Sequence, residues 1–190
     1  MKRNHLLRAV EMSVLCFAAA MRASLFAQEH APDQHTLLLL HFNVTLNGAQ
    51  GETPTQAQGV SYEPGLFGNG AYFAPGNQVY FPSAGNLNST EGTLEFWIKP
   101  RWNGNDGQNH VVLRYSNGGG MLFFKDGANN WRSIFNRFGV GNPEIDVAFN
   151  VNAWQANQWH HAAFTWSSNV LKLYVDGQLL RQSQVTVPLN

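Results

Sequence analysis

Two adjacent histidines, His160 and His161, stand in the run "QWHHAAFTW". Paired imidazoles can hold a metal ion or move protons at neutral pH. In a strand, neighbouring side chains point to opposite faces, so one ion would need ligands two residues apart. Gln158 and Ala162 flank His160 at that spacing, and Trp159 and Ala163 flank His161. None is a good ligand, and both histidines are read as structural, satisfied by ring hydrogen bonds. A second constellation is "PEIDVAF", Pro143 to Phe149. Its spacing puts Glu144 and Asp146 on one strand face, where one carboxylate could act as nucleophile and another as acid in cleaving a glycosidic bond. A third is a set of tryptophans in amide-rich surroundings: Trp102 in "PRWNGNDGQN", Trp131 in "GANNWRS" and Trp154 in "NAWQANQ". An exposed indole can stack on the apolar face of a sugar while amides bond its hydroxyls. The alternative for the same three residues is packing at the ends of the fold.

Other chemistry lacks its residues. There is no G-x-S-x-G, P-loop or H-E-x-x-H. Gly118-Gly119-Gly120 has neither the Lys nor the helix of a phosphate cradle and reads as a hairpin loop. Asn43-Val44-Thr45 and Asn88-Ser89-Thr90 match glycosylation sequons.

The elements that must position these residues are short strands. "LLLLHFN" (residues 37–43), "GAYF" (70–73) and "QVYF" (78–81) come first, the last two separated by the turn "APGN". "TLEFWIK" (93–99) alternates Leu94, Phe96 and Ile98 against Glu95 and Trp97. "HVVLRY", "MLFFK", "RSIFN", "IDVAF", "WHHAAFTW", "VLKLYVD" and "QLLRQS" follow. Asp176-Gly177, between the last two, is a strong hairpin signal, because glycine accepts the positive φ of a type I′ turn. No window sustains a 3.6-residue apolar period. The pattern predicts an all-β fold, an antiparallel sandwich or jelly roll.

The 190 residues suffice for one domain with a real core, and charged residues make up only 13%. Residues 1–27 read as a signal peptide: Lys2, Arg3 and Arg8 precede the apolar "MSVLCFAAAM", with cleavage after Ala20 or Ala27. Residues 28–36 form a flexible lead-in, and 37–190 the domain. The one cysteine, Cys16, leaves with the signal, so the mature chain forms no disulfide. From Gln28 onward eight Lys and Arg stand against eleven Asp and Glu, a net of −3. No basic run survives to bind nucleic acid, and no later segment is apolar for long enough to span a membrane as a helix. The expected location is extracellular or at the cell surface, or periplasmic in a Gram-negative host.

In order along the chain, "LLLLHFN", "GLFGNGAYF", "VYFP", "EGTLEFWIKP" and "WHHAAFTWSSNVLKLYVDGQLL" resemble the blocks of the laminin-G-like, concanavalin A-like jelly-roll family. The resemblance runs over roughly residues 37 to 187. It implies a non-catalytic recognition or adhesion module whose ligand is a glycan or a protein surface, without a cofactor. It places His161 where non-catalytic members routinely carry His. The family's structural calcium is put in doubt by Asn43, which stands where an Asp is usual. The family's closing strands, around G-x-I-D-E-x-R-I, are not in this sequence. The expectation is therefore a jelly roll incomplete at its C-terminus, from the front part of a larger protein, with further domains attached. Glucanases of this fold use E-x-D-x-(x)-E; here Ala148 and Phe149 occupy the acid's place. A glucanase is thus the alternative function, and a structural spacer the third.

Overall fold

The structure, a computed structural model, describes residues 29–88, 90–115, 120–135, 145–167 and 170–184. The signal-peptide reading, Glu144 and the tail after Gln184 lie outside them. The described residues form strands and turns, with no helix. The strands are β1 (Gln56–Gln58), β2 (Ser61–Pro64), β3 (Asn69–Tyr72), β4 (Gln78–Tyr80), β5 (Gly92–Ile98), β6 (His110–Tyr115), β7 (Met121–Lys125), β8 (Asn130–Phe135), β9 (Ile145–Asn150), β10 (His160–Trp166), β11 (Val170–Val175) and β12 (Gln178–Gln184).

Two antiparallel four-stranded sheets carry the core. One has the order β12-β11-β10-β5 and the other β6-β7-β8-β9. Alternation decides which residues face inward. Leu94, Phe96 and Ile98 of β5, Phe164 and Trp166 of β10, and Leu171, Leu173 and Val175 of β11 belong to the same cluster as Met121, Phe123, Trp131, Phe135, Val147 and Phe149 of the other sheet. Rings meet across the sandwich: Phe123 packs edge-on against Phe164 at 5.3 Å, and Phe135 tilts against Phe164 at 4.8 Å. Each such side chain contributes about 1.5–3 kcal/mol on burial. On one side, Arg181 Nε of β12 donates to Ala148 O of β9 at 2.9 Å and ties the two sheets together.

The Asp176-Gly177 turn has φ of 50° and 78°, both positive, as the I′ expectation requires. The turn at 74–77 also forms, with Asn77 N donating to Ala74 O at 2.9 Å. The strands it separates nevertheless do not pair with each other: β3 pairs with β2 and β4 with β1. The β2–β3 hairpin is held to the end of β5 by two cations. Lys99 lies over Trp159 and bonds Pro64 O, and Arg101 lies over Tyr72 and pairs with Glu63.

One predicted strand is corrected. "LLLLHFN" is irregular coil, not a strand, with Phe42 at a positive φ of 56°. A strand exists through its ladder, and among the described residues this segment makes one backbone bond, Ala49 N to Leu39 O at 2.8 Å. Apolar composition alone does not supply the missing partner.

Candidate functional site

The histidine pair is split between faces as alternation demands. His160 stacks flat on Trp154 at 3.9 Å, and its Nδ1 meets Asp176 Oδ2 at 2.9 Å. His161 points the other way, tilted against Trp97 at 4.9 Å. Asp176 also accepts from His161 N at 2.9 Å, so the hairpin turn fixes the start of β10. Among the described residues no group of three His, Cys, Asp or Glu could hold a metal ion.

The three amide-flanked tryptophans come together, but not as exposed platforms. Trp131 is 0% exposed and Trp154 7%. Trp102 is half-buried and packs on the core. Trp131 and Trp154 lie 5.4 Å apart, and Trp102 stacks on Trp154 at 6.2 Å and on His110 at 4.7 Å. Of the two readings, burial places Trp131 and Trp154 with the packing alternative. Trp131 belongs to β8, where Trp131, Ser133 and Phe135 share the inward face. Trp154 is covered because the 99–109 loop closes over it, with Gly104 N donating to Trp154 O at 2.8 Å.

Beneath this stack lies a buried ion pair that sequence reading missed. Lys125 is 0% exposed. Its Nζ donates to Asp106 Oδ1 at 2.6 Å, Asn129 Oδ1 at 2.8 Å, Gln108 O at 3.0 Å and Asp126 O at 3.3 Å, and sits 5.8 Å from the Trp102 ring. Desolvation alone would raise the Asp106 carboxyl. The Lys125 ammonium, the Gln108 N–H and the His110 ring outweigh it and hold the carboxyl well below the usual carboxylate range. With every ammonium proton engaged, this cluster anchors the loops at that end of the sandwich.

On the outer face of β9, Asp146 is ion-paired to Arg132 of β8, and Arg132 lies over Phe124. Two residues further along that face stands Ala148. The strand thus carries a neutralised carboxylate and no acid at the next same-face position.

The outer face of the other sheet is different. Trp97, next to the end of β5, is 39% exposed and lies opposite His161 in register. Glu95 and Tyr174 flank Ala163, and Thr93 and Lys172 flank Thr165. Glu95 meets His161 Nε2 at 3.6 Å and His30 Nε2 at 3.1 Å. Thr93, Glu95, Trp97, His161, Thr165 and Lys172 share this outward face, and His30 of the 29–42 segment reaches it at Glu95.

The residues about Asn43 do not fit calcium. The Asn43 amide oxygen accepts from Asn69 N at 2.9 Å and its Nδ2 donates to Glu29 Oε1 at 3.0 Å, while Glu29 is also bridged to His41 at 2.8 Å. The Glu29 carboxylate is already shared between an amide and an imidazole, where calcium needs six to eight oxygens.

Two packed antiparallel sheets with inward apolar rows define a sandwich of the concanavalin A-like jelly-roll class. The chain belongs to the Laminin_G_3 family, of the concanavalin A-like lectin/glucanases superfamily, whose model matches residues 73–190. Among solved structures it is similar to domain 4 of AbnA, an extracellular GH43 arabinanase from Geobacillus stearothermophilus, in complex with arabinotriose. That match has 17% identity and a TM-score of 0.54, and covers 81% of this chain and 77% of that one. It is also similar to residues 221–444 of an S-layer domain-containing protein from Clostridium thermocellum ATCC 27405, at 18% identity and a TM-score of 0.42, covering 84% and 70%. No curated protein matches the sequence.

Proposed function

We propose that this chain is a secreted, non-catalytic recognition module that binds carbohydrate. The observation that carries the reading is the state of β9. Asp146 is neutralised by Arg132, and Ala148 stands at the next same-face position, where a proton donor to the leaving group would be needed. The arabinotriose complex of the similar arabinanase domain supports carbohydrate as the ligand class. The basic and apolar order of residues 1–27 supports secretion.

The test exposes the purified chain to a panel of neutral oligosaccharides, arabinotriose among them, and follows retention and release of reducing ends. Binding without release is the expected outcome. Hydrolysis by the wild type that disappears in Asp146→Asn overturns the non-catalytic reading.

A further inference from the structure

Resting on that reading, we propose that the sugar site is the outer face of β5, β10 and β11, taking a neutral oligosaccharide stacked on Trp97. Three observations converge there. First, the indole is exposed without need. Leu94, Phe96 and Ile98 already give β5 its core contacts, whereas Trp97 points away from the core and remains 39% exposed. His161 leans on it at 4.9 Å and limits its rotation, so the ring is held ready at little further entropy cost. A fixed aromatic face with polar groups beside it suits a sugar ring, whose C–H face packs while its hydroxyls bond outward.

Second, the floor beside Trp97 is low. Ala163 lies between Glu95 and Tyr174 in register, so the smallest side chain of that row separates two large ones. Same-face positions 93, 95 and 97 span about 13 Å along β5, and three strands span about 10 Å across. That is the footprint of a short oligosaccharide.

Third, the polar groups match hydroxyls and not an ion. Glu95 accepts, Lys172 donates, and Thr165 and His161 can do both. Charges of both signs on one sheet face present no single-sign field to a charged sugar. All of these groups share one outward face of the sheet by strand register. His30 bonds Glu95 at 3.1 Å from above this face, so a bound sugar would replace a solvent-exposed contact of low cost.

The test measures affinity for the best-retained neutral oligosaccharide by titration calorimetry, with thermal melts confirming the fold of each variant. Trp97→Ala is expected to weaken binding about tenfold or more, and Trp97→Phe to recover part of the loss by restoring a ring. Lys172→Gln and Thr165→Val, outward and away from the core, are expected to weaken it about three- to tenfold through lost hydroxyl contacts. Asp146→Asn, on the opposite sheet, is expected to bind like the wild type. Undiminished binding by folded Trp97→Ala, or by Lys172→Gln and Thr165→Val should Trp97→Ala not fold, overturns the site and leaves the binding function standing. A wild type that retains no neutral oligosaccharide overturns the function and the site together.

Discussion

Removing Asp106 should cost far more stability than removing the lysine it neutralises. Asp106→Ala would leave the Lys125 ammonium buried with three neutral acceptors, Asn129 Oδ1, Gln108 O and Asp126 O. Breaking a buried pair from one side costs about 3–5 kcal/mol. The Asp106 side chain is 24% exposed, so water can reach the vacated position and the lower end, about 3 kcal/mol, applies. For a domain of this size that is about 6–12 °C in Tm. Lys125→Met keeps the apolar stem and removes the charge. Asp106 then still accepts from Gln108 N at 3.0 Å and meets His110 Nε2 at 2.7 Å, so the expected cost is only about 1–2 kcal/mol. The double variant should cost about as much as Lys125→Met alone, giving a coupling of about 3 kcal/mol. Urea unfolding of all four proteins closes the cycle. Additivity within about 0.5 kcal/mol would refute the pair as the anchor of this end of the sandwich. The pH dependence has a fixed sign. The Asp106 carboxyl is lowered in the fold, so its contribution is full above the unfolded value of 3.8 and is lost as pH falls through the folded one. The stability gap between wild type and Asp106→Asn should therefore be constant above about pH 5 and shrink in stronger acid.

Two glycine substitutions test the loops that frame the same end. At Gly104 an added Cβ would strike the Val151 carbonyl oxygen and press on Trp154 Cβ at 3.2 Å, so Gly104→Ala should destabilise by about 2–4 kcal/mol in chemical denaturation. An unchanged midpoint would mean that the 99–109 loop does not hold Trp154 as described. Gly177→Ala meets no atom within 4 Å, but its φ of +78° is unfavourable for an L side chain. The expected loss is about 1–2 kcal/mol, read from the thermal midpoint, and a neutral result would refute the I′ geometry of the hairpin.

Most of the strand content was written in local pattern. Leu94, Phe96 and Ile98 against Glu95 and Trp97 gave β5 its register, and with it the outward direction of Trp97. The same alternation separated His160 from His161. Asp176-Gly177 fixed the last hairpin because a turn needs only its own two residues. These features are local, so the chain alone decides them. Trp131 was half legible: its alternation with Ser133 and Phe135 marks an inward row, but Ser133 interrupts the apolar signal and the polar flank "GANN" masks it. Leu37–Leu40 shows the limit from the other side, since four apolar residues do not by themselves specify a ladder.

What only the tertiary structure decided depends on residues far apart in the chain. Trp154 is buried because Gly104, fifty residues away in sequence, admits its backbone closely. Lys125 ends β7 at an inward position and is tolerable there only because Asp106, Gln108, Asp126 and Asn129 converge on it from two loops. Asp146 has a carboxylate's sequence identity, but its pairing with Arg132 follows from the β8–β9 register. The grouping of Trp97, Glu95, Thr165 and Lys172 exists because three strands, spread over eighty residues, lie side by side in one sheet. Alternation tells each side chain which face to take, and strand pairing tells it which neighbours it will meet there.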